Sequence, residues 1–159
     1  MVSRRRFIVL VTAGTLAAGG AVVGTLLLPG ERPRSGPPTL RFGAEQCVYC
    51  GMIISDPHFA AAWRDASGRE QHFDDIGCMV NAGRHHDPGP GVERWVHDYA
   101  SQSWIGAADA VYVFSEAIKT PMAYGVAAYA RREDAASAAR SSGAALTWDQ
   151  AQARVEGKG

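Results

Sequence analysis

The chain has 159 residues, 47% of them hydrophobic, 20% charged and 9% aromatic, with a formal net charge of +0. That balance excludes a disordered or collagen-like chain and fits one ordinary globular domain. Three early arginines mask a mild acidity: from Glu31 onward 13 Lys+Arg face 16 Asp+Glu, a net of −3. A nucleic-acid surface needs clustered positive charge, so nucleic acid is not an expected partner.

In chain order, Ser3-Arg4-Arg5-Arg6-Phe7-Ile8 opens an uncharged run of 22 residues, Phe7 to Leu28, which stops at Pro29-Gly30. A basic start before an apolar run is a secretory signal or a membrane anchor, and this run is long enough to span a bilayer as a helix. The Ser-Arg-Arg-x-Phe-hydrophobic order resembles the twin-arginine export signal, which carries folded proteins across the membrane. Residues 1–30 are therefore read as such a signal or anchor. Retention is favoured, because no small-x-small cleavage site follows Leu28. The domain behind it is expected to be extracytoplasmic. Residues 31–39 read as an extended tether, since Pro37 and Pro38 oppose regular structure. The folded domain is expected over 40–159.

Within that domain, His58 to Trp63 reads as a strand entering a turn at Asp65 to Gly68, and Glu70 to Phe73 as the returning strand. Asp74 to Arg84 reads as a short helix capped by Asp74 or Asp75, with Ile76, Met79 and Val80 on one face. His85 to Gly91 is a Pro/Gly loop. Glu93 to Tyr99, Ala110 to Phe114 and Tyr124 to Tyr129 read as strands. Asp134 to Arg140 reads as a helix ended by Gly143. Leu146 to Trp148 is a short strand or turn, and Thr147 or Asp149 caps a last helix over Gln150 to Val155. Hairpins dominate and no β-α-β alternation appears, so the expected fold class is α+β, antiparallel strand pairs with short helices. The halves have a similar make-up, compatible with a duplicated ββα-type unit.

Three cysteines follow the tether: Cys47, Cys50 and Cys78. Outside the membrane cysteines usually pair, and an odd number leaves one thiol over. Metal binding is one use for it. The densest cluster is Cys47-Val48-Tyr49-Cys50-Gly51-Met52. Two thiols separated by two residues can meet one ion or form a disulfide, and Gly51 lets the chain turn so that Met52 can follow. A second sulfur pair, Cys78-Met79, follows Asp74-Asp75-Ile76-Gly77. Neighbours on a helix point about 100° apart, so one of the two is expected to pack, and for each alone packing is the favoured reading. Asp74 and Asp75 face different ways for the same reason, which argues against paired acid/base work. The third site is Thr120-Pro121-Met122, a turn presenting a thioether. Thiolate and thioether together favour Cu(I) over Zn(II). Among nitrogen donors His58 is preferred. His72 is read as a surface residue, His85-His86 as solvated loop, and Trp63, Trp95, Trp104 and Trp148 as core aromatics.

Cys-x-x-Cys-Gly-Met, then Phe-Asp-Asp-Ile-Gly-Cys-Met, then Trp104-Ile105-x-Ala107 with Ala110-x-Tyr112-Val113, then Thr120-Pro121-Met122-x-x-Gly125 resembles the NosL family in order and spacing. The resemblance runs from Glu45 to Ala136. It implies a small α+β domain with two related halves, acting as an extracytoplasmic copper chaperone that supplies Cu(I) to nitrous oxide reductase. It implies Cys50, Met52 and Met122 as copper ligands, with Cys47 next; Asp74, Asp75 and Cys78 match the second motif. The implied partner is the copper-receiving enzyme or its assembly transporter, with the membrane engaged through the N-terminal segment if that is kept. Family members are commonly lipoproteins anchored through an N-terminal cysteine, which this sequence lacks.

The leading expectation is a carrier without catalysis of its own. One alternative is a thiol-disulfide oxidoreductase using Cys47 and Cys50, against which stands the lack of a helix after Cys-x-x-Cys. A third reading has the two cysteines only staple a loop.

Overall fold

The computed structural model describes residues 36–140 and 144–157. The export segment expected over 1–30 and the helix-ending role of Gly143 lie outside the described residues, as does most of the tether. Of the tether's end, Pro38 is buried while its neighbours are exposed. Among the described residues no helix is long and apolar enough to cross a membrane.

The elements run β1 (Ala61–Arg64), β2 (Glu70–Phe73), α1 (Ile76–His85), β3 (Glu93–His97), β4 (Trp104–Gly106), β5 (Val111–Phe114), β6 (Val126–Tyr129), α2 (Arg132–Ala139), β7 (Ala145–Leu146) and α3 (Trp148–Glu156). The β1–β2 hairpin turns where expected: the Asp65 carboxylate accepts the Ser67 and Arg69 amides, and Gly68 takes φ +85°. Such a side-chain-to-backbone bond is the usual reason for aspartate in a tight turn. α3 begins on a capping box, with Thr147 and Gln150 bonding each other's backbone N–H.

Two antiparallel sheets result, ordered β2-β1-β3-β4 and β6-β5-β7. In each, the first strand of the half lies in the middle. Its hairpin partner is on one side and the strand that follows the helix is on the other. The two halves thus share a ββαβ connectivity, to which β4 and α3 are added. The architecture is α+β as expected. Among the described residues one isolated parallel bridge, Asp98 to Ala128, joins the sheets. There the Tyr99 amide donates to the Ala128 carbonyl at 2.8 Å, and the Ala130 amide donates to Asp98 Oδ1 at 2.9 Å.

The main core packs Ile76, Met79 and Val80 of α1 against Trp63, Phe73, Val96, Tyr112, Val126 and, from α3, Ala151 and Val155. The α1 face is the one its periodicity predicts. A smaller cluster under α2 holds Phe59, Val113, Ala127, Tyr129 and Ala135. All four residues of β1 are buried, so its alternation is lost: a central strand covered on both faces has no solvent side.

Several readings change. β4 was not expected, because three residues ending in glycine carry no alternation; it is defined by its pairing with β3. β6 starts at Val126 because Gly125 turns the chain with φ +67°. Of the four tryptophans only Trp63 is fully buried. His72 is not a surface residue: its ring is half-buried, with Nδ1 at 2.7 Å from Glu45 Oε2.

Candidate metal centre

The Cys-x-x-Cys segment is a miniature hairpin. Gln46 and Ile53 form an antiparallel bridge, the Cys47 amide donates to the Met52 carbonyl at 2.8 Å, and the Gly51 amide donates to the Cys47 carbonyl at 2.9 Å. Gly51 takes φ +77°, which side-chain-bearing residues avoid. The Val48 amide donates to the His72 carbonyl at 3.1 Å, fastening this loop to the edge of β2. The loop is therefore held against the strand that leads into Asp74 and α1.

Asp75 is the N-cap of α1, its Oδ1 accepting the Gly77 amide at 2.7 Å. That fixes the phase of the helix. Asp74 sits in the bend between β2 and the helix, and Cys78 lies in the first turn beside Met79. Met79 packs in the core, 1% exposed. Cys78 meets Cys47, Cys50 and Asp74: their three sulfurs and a carboxylate oxygen all lie within 4.8 Å of one another. None of the three cysteines is in a disulfide. Cys47, Asp74 and Cys78 are buried, and Cys50 alone is half-buried, so the cluster meets solvent at Cys50.

The thiols differ sharply. A hydrogen bond from Cys78 lowers Cys47 to about 6, against burial and with help from the amides of Cys50, Asp74 and Tyr49. Burial raises Cys50 to about 11, opposed by the Met52 amide and reinforced by Cys47 and Asp74. Donation to Cys47, then burial, pushes Cys78 far above the ordinary thiol range. Of the three thiols Cys47 is thus the one favoured to lose its proton and Cys78 the one favoured to keep it. The Cys50 thiol donates to Asp74 Oδ1 at 3.4 Å, while the buried Asp74 Oδ2 has no hydrogen-bond partner. An orphaned carboxylate oxygen beside three sulfurs is what a cation would satisfy.

The remaining candidates divide. Met52 and Met122 are exposed, at 47% and 37%, and both belong to segments tied to the cluster. Met52 closes the Cys47 hairpin, and the Met122 amide donates to Asp75 Oδ2 at 3.3 Å. Asp75 is fully buried and spent on hydrogen bonds to Gly77, Met122 and Thr120. Burial nonetheless pushes its carboxyl up. His58 is not part of the cluster. Its Nδ1 lies 2.7 Å from Asp56 and its Nε2 lies 2.8 Å from the Gln102 amide. Cys78 packs as expected, 0% exposed within the main core, and its sulfur also lies in the cluster. Tyr124 carries no motif of its own. Its ring rests on Gly77 and its hydroxyl accepts from Asn81 Nδ2 at 2.8 Å. The small residue at 77 with an amide four positions on was the trace of it.

A search of curated proteins gave no match. Among solved structures, the crystal structure of the copper chaperone NosL from Shewanella denitrificans is similar, with TM-score 0.56 and 20% sequence identity, covering 72% of this chain and 96% of that one. At that identity the likeness is one of fold. The model of the NosL family matches residues 41–155, which takes in the thiol cluster, both sheets and nearly all of α3, and the chain belongs to the NosL family.

Proposed function

We propose that this protein is an extracytoplasmic carrier of Cu(I) that passes its ion by ligand exchange to a copper enzyme, nitrous oxide reductase, or to the transporter serving that enzyme's assembly. The observation that carries the reading is the gathering of three cysteine sulfurs, none in a disulfide, and one Asp74 carboxylate oxygen within 4.8 Å. Thiolates select a soft monovalent ion. Two exposed methionines, Met52 and Met122, border the segments that build the cluster and supply weaker donors from which an acceptor can take the ion. The copper-chaperone relative of the same fold supports the same cargo. Export follows from the Ser3-Arg4-Arg5-x-Phe7 signal, and Arg4→Lys/Arg5→Lys is expected to leave the chain inside the cell.

Loading displaces protons, because a ligating thiol must be a thiolate. Cys47 needs little help, being lowered to about 6. Cys50 must release a proton that burial and its hydrogen bond to Asp74 otherwise retain.

The oxidoreductase alternative fares worse. Attack on a substrate disulfide needs an accessible thiolate. Here the thiolate-prone Cys47 is 2% exposed, and the accessible Cys50 is the one raised to about 11.

The test is titration of the reduced full chain with Cu(I) against a chromogenic chelator, with Zn(II) in parallel. One Cu(I) per chain, lost in Cys50→Ser, is expected. Preference for Zn(II), or turnover in insulin reduction, would overturn the reading.

A further inference from the structure

The loop that carries Met122 is fastened to the helix that carries Cys78 at two points, one on each side of the methionine's neighbourhood. The first is Asp75. Its Oδ1 caps α1 through Gly77 and its Oδ2 accepts the Met122 amide at 3.3 Å, with the Thr120 hydroxyl on the same carboxylate. The second is Tyr124. A side chain at Gly77 would occupy the space of the Tyr124 ring, so the ring lies directly on the bare first turn of α1. Its hydroxyl accepts from Asn81 Nδ2 at 2.8 Å, and the same amide donates to the Gly77 carbonyl at 3.0 Å. Asn81 is 3% exposed, so this bond forms away from competing water.

Between the two fastenings the loop has little freedom. The Ala123 amide donates to the Thr120 carbonyl at 3.0 Å, and Ala123 takes φ +59°. The Gly125 amide donates to Thr120 Oγ1 at 3.3 Å, and a side chain at Gly125 would meet the Ser115 carbonyl at 2.7 Å. Left-handed backbone at an alanine persists only where its surroundings impose it. Cys78 is one residue from Gly77, so whatever sets the ring on Gly77 also sets the loop relative to the sulfurs.

We infer that Tyr124, seated on Gly77 and tied to Asn81, is a positioning residue that holds the Met122 thioether at the mouth of the thiol cluster. The inference rests on the copper reading. It assigns Tyr124 no contact with the ion; its effect passes through Met122. Preorganised donors bind more tightly than donors that must be ordered at the moment of binding.

The experiment is a double-mutant cycle on the full chain, reading Cu(I) affinity by chelator competition. Tyr124→Phe removes the Asn81 bond and keeps the ring; Gly77→Ala displaces the ring. Each is made alone and in a Met122→Leu background, with Tm followed throughout. The expected result is a loss of roughly tenfold for Gly77→Ala and about threefold for Tyr124→Phe when Met122 is present, and no further loss when it is absent. Should Gly77→Ala fail to fold, Tyr124→Phe carries the cycle. Equal losses in both backgrounds would mark a general structural effect and overturn the inference, as would unchanged affinity in both variants. A wild-type chain that binds no Cu(I) would overturn the copper reading and this inference with it, whereas binding that ignores Tyr124 would overturn the inference alone.

Discussion

Two adjacent aspartates offer a sharp test, because the structure gives them opposite duties. Asp75 makes three hydrogen bonds that hold backbone and loop, to Gly77, Met122 and Thr120. Asp74 accepts only the Cys50 thiol and leaves its other oxygen without a partner. Removing Asp75 as Asp75→Ala deletes an N-cap, about 1 kcal/mol. It also leaves the buried Thr120 hydroxyl and the part-buried Met122 amide without their acceptor, at about 1 kcal/mol each, toward the low end of that range. A total near 3 kcal/mol is a large part of the 5–15 kcal/mol typical of a domain, and corresponds to a fall of about 10 °C in Tm. Asp75→Asn should lose only about 1 kcal/mol, since an amide keeps one acceptor and escapes the charge burial that raises this carboxyl. Asp74→Ala should lose less than about 1 kcal/mol, because a thiol is a weak donor and an unpartnered acceptor disappears with it. Urea unfolding of the three variants at constant m decides the matter. An Asp74→Ala loss matching that of Asp75→Ala would refute the division of labour. Cu(I) titration supplies the converse: Asp74→Ala is expected to weaken binding more than its small stability change would suggest.

Cu(I) should raise Tm in proportion to the logarithm of its free concentration, and Cys50→Ser should abolish the rise, as measured by calorimetry. Gly51→Ala places a side chain at φ +77° but in open space, so a stability loss of about 1 kcal/mol is expected from the backbone alone. Cu(I) affinity should fall with it as Cys50 and Met52 are turned aside. His58→Ala should leave Cu(I) affinity unchanged, because both ring nitrogens are engaged by Asp56 and Gln102; a tenfold loss in chelator competition would restore it as a ligand. Asp98 supplies the pH dependence. Burial acts to raise its carboxyl, but the Ser101 hydroxyl and the amides of Ala130, Ser101 and Ala100 together hold it below the ordinary carboxylate value. A depressed folded value means stability that is present above about pH 3.9 and lost as pH falls through the folded value. Asp98→Asn should therefore be less stable than wild type at pH 6, with the difference in urea midpoint vanishing in strong acid.

What is local was legible in the sequence. Asp65-x-x-Gly68 names its own turn, the caps narrow to Asp74 or Asp75 and to Thr147 or Asp149, and Ile76, Met79 and Val80 declare the buried face of α1, because each depends on residues within one or two turns of itself. The motif spacing around Cys47, Cys50, Cys78 and Met122 likewise pointed to soft-metal chemistry and to the NosL family before any geometry. Other features needed the assembled fold. β4 exists only through its ladder with β3, β1 loses its alternation because both its faces are covered, and His72 is drawn into half-burial by Glu45, 27 residues away in sequence. The grouping at the metal centre is tertiary in the same sense. Cys78 joins Cys47 and Cys50 because the loop is pinned to β2 and the cap sets the helix phase. His58 is kept out by Asp56 and by Gln102, 44 residues on. Periodicity and spacing report what a residue does to its chain neighbours; which sulfur meets which carboxylate is decided by packing between segments that the sequence keeps apart.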